Sequence, residues 1–219
     1  MYTPKAFRED DIDTLHAFMR EYSFATLVTQ QDGKLLASHL PFLLDAERGT
    51  LSGGQVSYGT LIAHMARANP QWRTFAEMQE ALVIFQGPHT YISPSWYQDD
   101  VAQSVPTWNY AVVHAYGTPH LIEDTTALYT ILQALVQKHE SHFEKPWTLQ
   151  PLGDFMQNKM RAIVGFQIPI TRLEGKYKLN QNRSVNDQVR VVAALEGNAD
   201  LPSAEVAELM SKRRKNAIG

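Results

Sequence analysis

The pair Asp32-Gly33 separates two strand-like runs, 24–29 and 35–44. Glycine supplies the positive φ that a tight hairpin needs, so the chain is committed early to an antiparallel pair. Pro41 lacks the N–H that a ladder requires, which predicts an edge or a bulge there. Residues 49–51 read as the turn into a third short strand. Residues 81–86, with Leu82, Val83, Ile84 and Phe85, read as a buried strand that Gly87-Pro88 breaks, 89–92 resumes and Ser93-Pro94-Ser95 ends. A polar loop at 98–104 precedes a strand at 108–116, which 119–122 extends within the same sheet, and 162–173 reads as one long late strand.

Helical spacing appears in five places. Ile12, Leu15, Met19 and Tyr22 share a face within 9–22, and Glu9, Asp10, Asp11 and Asp13 suit its first turn. Residues 61–68 read as a short helix closed before Asn69-Pro70, because the residue before proline disfavours helical angles. Leu128, Ile131, Leu132, Leu135 and Val136 point inward from 125–139. Val185, Val189 and Val192 recur within 184–195, with Gly197 as C-cap, and 203–213 forms a last helix with Val206, Leu209 and Met210 on one face. Six or seven strands with inserted and appended helices predict a mainly β, α+β chain built on a small antiparallel barrel. All of 1–219 is expected to form one domain with a C-terminal helical extension.

Composition removes several classes of function. There is no cysteine, so disulfides, thiolate metal sites and cysteine nucleophiles are excluded. The formal net charge of -3 argues against a basic nucleic-acid binder, and only Lys212-Arg213-Arg214-Lys215 is locally basic. The first residues lack an apolar leader, and no stretch has the length of a membrane span, so a cytoplasmic protein is expected. His139-Glu140-Ser141-His142 lacks zinc-protease spacing, and neither a nucleophile elbow nor a G-x-G-x-x-G fingerprint is present, so no metal site is expected.

What remains is a set of aromatic and polar clusters. Residues 85–97 and 105–110 are dense in aromatic residues, prolines and polar groups. They suit the walls of a small-molecule site, and equally core aromatics at a barrel corner. Gly87 permits close backbone approach. In Val105-Pro106-Thr107-Trp108-Asn109-Tyr110, Trp108 and Tyr110 share one face and Asn109 takes the other, with an amide able to meet both edges of a heterocycle. In Ser38-His39-Leu40-Pro41-Phe42, Ser38, Leu40 and Phe42 share a face opposite His39, and backbone groups near Pro41 are free to meet a planar ring. Arg67, just before Asn69-Pro70, is the best phosphate candidate, and Lys176 and Lys178 point the same way from a strand end. The local residues alone favour reading Arg67 as a surface arginine at an Asn-Pro helix stop; 38–42 also reads as a half-buried strand with an edge proline, and the two lysines as a solvated strand exit.

Taken in order, Met1-Tyr2-Thr3-Pro4, Ala37-Ser38-His39-Leu40-Pro41-Phe42, Ala66-Arg67-Ala68-Asn69-Pro70-Gln71-Trp72, Phe85-Gln86-Gly87-Pro88-His89, Tyr91-Ile92-Ser93-Pro94-Ser95-Trp96-Tyr97, Val105-Pro106-Thr107-Trp108-Asn109-Tyr110 and Gly175-Lys176-Tyr177-Lys178-Leu179-Asn180-Gln181-Asn182 resemble the PaiB-type family of FMN-binding negative transcriptional regulators. The resemblance implies a split β-barrel of the pyridoxamine-phosphate-oxidase type, a homodimer, bound FMN, and control of degradative-enzyme and sporulation genes. DNA is a partner by resemblance only. Two departures are visible: the family more often has serine at the position of Asn180, and in Ile62-Ala63-His64 only the histidine matches the usual Gly-His.

The implied cofactor gives each cluster a role. Arg67, Lys176 and Lys178 supply cations for a phosphate; Gln86 and Asn109 supply hydrogen bonds to the ring; Trp72, Trp96, Trp108 and Tyr110 supply walls. Ser38, His39, Leu40, His64 and Asn69 complete the expected cofactor contacts. Two alternatives stand beside FMN-dependent regulation: a flavin-dependent oxidoreductase, and haem binding through His64, His139 or His142.

Overall fold

The structure is a computed structural model that describes residues 1–47, 49–50, 54, 56–77, 80–98 and 104–218, the side chains of Thr50 and of residues after Arg214 excepted. Leu51, residues 99–103 of the expected polar loop and the side chain of Lys215 lie outside the described residues. In chain order the elements are β1 (Arg8–Glu9), α1 (Ile12–Glu21), β2 (Phe24–Gln31), β3 (Lys34–Pro41), β4 (Leu43–Asp45), β5 (Gly49–Thr50), β6 (Val56–Ser57), β7 (Thr60–Ala66), β8 (Ala81–Ile92), β9 (Thr107–Gly117), β10 (His120–Ile122), α2 (Thr125–Glu140), α3 (Asp154–Met160), β11 (Ile163–Pro169), β12 (Arg172–Lys178), α4 (Val185–Glu196) and α5 (Leu201–Ile218). A 3-10 segment, Pro70–Glu77, follows β7.

The chain divides into two compact units. The first comprises Met1–Phe18, Gln86–Val113 and Glu174–Gly219. Its strands follow the order β1-β12-β9-β8, and α4 and α5 pack together in the same unit. Val191, Leu195, Val206 and Met210 are buried there. Ser184 caps α4 by accepting from the Asp187 N–H, as the capping preference of serine dictates. Gly197 closes α4 in a right-handed conformation rather than the left-handed one usual for glycine.

The second unit comprises Met19–Phe85 and His114–Leu173. It holds the hairpin β2–β3, paired from Phe24↔Pro41 to Gln31↔Lys34. Asp32 and Gly33 both have positive φ, 50 and 75, the geometry of a type I′ turn that matches strand twist. β3 ends the strand order, which is where Pro41 is tolerated. A second sheet, β10-β11-β7-β4, packs around an aromatic group in which Phe42, Phe75, Phe85 and Phe166 meet at centroid distances of 5.1–6.2 Å. α2 and α3 bring Leu128, Met156 and Met160 into a satellite cluster.

Several elements differ from the sequence expectation, each for a physical reason. Residues 61–66 belong to strand β7 and 67–68 to a turn, in place of the expected helix over 61–68: Leu61, Ala63 and Met65 are buried and Ile62 and His64 half-buried, a two-residue alternation fixed by pairing along β11. A short apolar run carries no periodicity able to separate the two states. Gly87-Pro88 does not break β8, because the β2 pairing stops at Ile84 and Pro88 therefore costs no ladder bond on that edge. It slips the alternation by one residue instead, so that Gln86 and His89 are both exposed. The run 162–173 is two strands, since Pro169 ends β11 and a turn precedes β12. Residues 120–122 belong to the second sheet and pair with β11, so they do not extend the sheet of β9. The first helix starts at Ile12, not Glu9: Asp11 caps it by accepting the Thr14 N–H at 2.8 Å, and Arg8 and Glu9 pair with Lys176 and Gly175. No helix among the described residues is long and apolar enough to cross a membrane.

Candidate functional site

The first unit presents an aromatic and basic face. β9 alternates, so Trp108, Tyr110 and Val112 face one way while Asn109, Ala111 and Val113 are buried on the other. β8 adds Gln86 and His89 on the side of Trp108, made possible by the slip at Gly87-Pro88. Gly87 is required for a different reason: a Cβ there would lie 2.6 Å from the Phe18 ring, so no larger residue fits. Gln86, His89, Trp108, Tyr110, Ala111 and Val112 line a recess of about 300 Å³. That volume suits a planar ring system rather than a whole dinucleotide.

The ring edges are ordered. His89 lies 6.1 Å and Tyr91 6.3 Å from the Trp108 ring, yet Trp108 remains 53% exposed. A tryptophan held in place by two neighbours, with half its surface open, is a stacking platform. Two cations border it. The Lys176 ammonium lies 5.3 Å from the Tyr110 ring and donates to the Tyr2 carbonyl. The Lys178 ammonium donates to Thr107 Oγ1 and to the Trp108 carbonyl, both at 2.6 Å. Burial, and then the charge of Lys176, hold the Lys178 pKa below its ordinary value. Among the described residues neither lysine pairs with a carboxylate. An anion would relieve both pressures on Lys178.

The second unit holds a polar knot of a different kind. Ser38 Oγ donates to Gln71 Oε1 and accepts from Asn69 Nδ2, while Asn69 Oδ1 accepts the Gln71 N–H. Gln71 Nε2 donates to Thr29 Oγ1 at 2.9 Å. These side chains satisfy one another and tie β3 and β2 to the turn after β7. Leu40 is half-buried beside them, and His39 is exposed with its Nδ1 2.9 Å from Thr26 Oγ1. Arg67 donates to the carbonyls of Arg161 and Ile163 at 2.8 and 2.9 Å and lies over Trp72, whose indole N–H donates back to the Arg67 carbonyl. His64 is half-buried; burial lowers its pKa, and its Nδ1 has no partner among the described residues.

The expected contacts therefore separate. Gln86, Trp108, Lys176 and Lys178 come together in the first unit. Asn109 belongs to that unit but not to the recess: it is fully buried, and its Nδ2 donates to Met210 Sδ at 3.5 Å. Ser38, His39, Leu40, His64, Arg67 and Asn69 belong to the second unit. Two residues had no role assigned from the sequence. His89 stood inside a quoted motif, and Gln71 carried no local sign beyond its place after Asn69-Pro70. Asn180, where the family more often has serine, has φ 61 and donates to the Tyr97 hydroxyl, and asparagine is among the few residues that accept this conformation readily.

Comparison with known proteins decides the family. Residues 1–172 match the family described as "Putative FMN-binding domain". The chain is 36% identical over 219 residues to protease synthase and sporulation protein PAI 2 of Bacillus subtilis, covering all of both chains. This protein belongs to the PaiB-type family of FMN-binding domains. An uncharacterized protein of Emericella nidulans is 29% identical over 97% of each chain. A solved FAD- and haem-binding protein from Mycobacterium smegmatis superposes with a TM-score of 0.58 at 15% identity, over 83% of this chain and 78% of its own. The flavocytochrome Anf3 of Azotobacter vinelandii gives 0.56 at 15%, over 78% and 69%. The fold is thus the split β-barrel of the FMN-binding and pyridoxamine-phosphate-oxidase type, and FMN is the cofactor of the family.

The residues of the first unit fit FMN on their own chemistry. An exposed indole offers a ring surface, an exposed amide offers a donor and an acceptor, and two ammonium groups without a carboxylate partner among the described residues suit a phosphate.

Proposed function

We propose that FMN lies with its ring on the face made by Gln86, His89, Trp108 and Tyr110, with its phosphate toward Lys176 and Lys178. The observation that carries this reading is the conjunction of a half-open, braced Trp108 with two lysines that pair with no carboxylate among the described residues. Trp108 and Tyr110 would exclude water from one side of the ring, and Gln86 would hold its polar edge. Bound FMN would supply one- and two-electron chemistry, and these side chains would orient it.

As in the PAI 2 protein, whose name refers to protease synthesis and sporulation, the chain serves as a regulator of degradative-enzyme and sporulation-type genes. It acts in the cytoplasm as a homodimer, with open strand edges such as β3 available to a twin. Contact with DNA, if direct, falls to the basic end of α5. Titrating the purified chain with FMN and following flavin fluorescence tests the cofactor reading. Saturable quenching is expected, and Trp108→Ala weakens binding about tenfold, the equivalent of 1.4 kcal/mol. Unchanged affinity in that variant would remove Trp108 from the site.

A further inference from the structure

β8, β9 and β12 carry further contacts on the faces turned away from Trp108, Lys176 and Lys178, and one from each strand runs to α5. On β8, Thr90 Oγ1 lies 3.2 Å from Ser203 Oγ, next to His89. On β9, Asn109 lies between Trp108 and Tyr110 and donates to Met210 Sδ. On β12, Tyr177 lies between Lys176 and Lys178, and its ring is 5.6 Å from the Arg213 guanidinium. Ser203, Met210 and Arg213 are seven and three residues apart, which places them on one face of α5. Arg213 also pairs with Glu9 and donates to the Arg8 carbonyl, fixing that end of α5 to β1.

The Asn109 contact is poor as a source of stability. Its amide is fully buried, and among the described residues its Oδ1 has no partner and its one donor bond goes to a thioether, which is a weak acceptor. An apolar residue of the same shape would pack there without an unpaired carbonyl. What the amide does is link the residue between the two ring-facing aromatics to the middle of α5.

We infer that α5 positions the aromatic and basic face, through Thr90–Ser203, Asn109–Met210 and Tyr177–Arg213, and that occupancy of the face is felt in α5. Each strand residue that turns away from the recess shares a backbone segment with residues that turn into it, so α5 sets where Trp108, Tyr110 and the two lysines stand. Linkage between binding free energies is reciprocal: a helix that holds the face for its ligand is itself steadied by that ligand. The inference rests on the reading that FMN occupies this face.

The test uses the full chain, with FMN as the probe. Amide hydrogen exchange across residues 203–213 is measured with and without saturating FMN. FMN affinity is measured for the parent, for Trp108→Ala and for the double variant Ser203→Ala/Met210→Leu. Slower exchange in α5 with FMN is expected, and an affinity loss of about fivefold in the double variant, at a temperature where it remains folded. A purely structural α5 would lower the melting temperature and leave the affinity alone. If FMN binds, Trp108→Ala weakens it, and both the α5 exchange and the double-variant affinity stay unchanged, the coupling is overturned and the ring-face reading stands. If binding is indifferent to Trp108→Ala, the ring-face reading fails and the inference with it. Should the double variant fail to fold, Ser203→Ala alone and the exchange measurement on the parent decide the matter.

Discussion

The polar knot of the second unit and the aromatic face of the first both hold residues that the sequence offered as cofactor contacts, yet they end in opposite states. In the knot, Ser38, Asn69 and Gln71 meet each other's donors and acceptors, and Gln71 is 2% exposed. On the face, Lys176 and Lys178 pair with no carboxylate among the described residues, and Trp108 keeps half its surface open. A satisfied network rigidifies a fold and leaves little for a ligand to bind, whereas an open, braced set awaits one. Motif residues that look alike along the chain thus divide into those that hold the scaffold and those that face a partner.

The comparison breaks most sharply at Gln71. Gln71→Ala strips a buried amide from Thr29 and Ser38, and urea unfolding is expected to show a loss of about 2–4 kcal/mol. FMN affinity should stay within twofold wherever the variant is folded. Loss of affinity without loss of stability would place the knot in the binding site.

Gly87 sharpens the other side. Gly87→Ala drives a methyl group against the Phe18 ring, with an expected cost of about 1–3 kcal/mol in denaturant unfolding. Here affinity should fall as well, since Gln86 and His89 flank the slip that Gly87 permits. A neutral variant would mean that Phe18 moves freely aside.

The smallest effect concerns Lys178. Only the protonated amine attracts a phosphate, and burial together with Lys176 already favours losing that proton. FMN affinity should therefore fall as pH rises through the lowered Lys178 pKa, earlier than an ordinary lysine would allow. Lys178→Met should remove that step and weaken binding by about 1 kcal/mol, roughly fivefold. A pH profile identical in both proteins would take Lys178 out of the phosphate site.

The sequence made some of this division readable. Asp32-Gly33 specified its hairpin because two consecutive positive φ values leave few residue choices. The alternation of β9 put Trp108 and Tyr110 together and already set Asn109 opposite them, so its absence from the recess follows from the same period of two. The state of Arg67 could not be read, since its acceptors at Arg161 and Ile163 lie 94 and 96 residues further along the chain. Nor could the strand β7, whose identity comes from β11 rather than from its own residues. The contacts from α5 to three strands are long-range in the same way: the helix showed its apolar face, but not which strands would meet it.

The central claim is that FMN stacks on the face of the first unit. The four tryptophans, Trp72, Trp96, Trp108 and Trp147, make it directly measurable. In protein labelled with nitrogen-15 at the indoles, an FMN titration should shift the Trp108 N–H strongly and leave those of Trp72 and Trp147 in place. A shift at Trp72, beside Arg67, with Trp108 unmoved would contradict the account and put the flavin in the second unit.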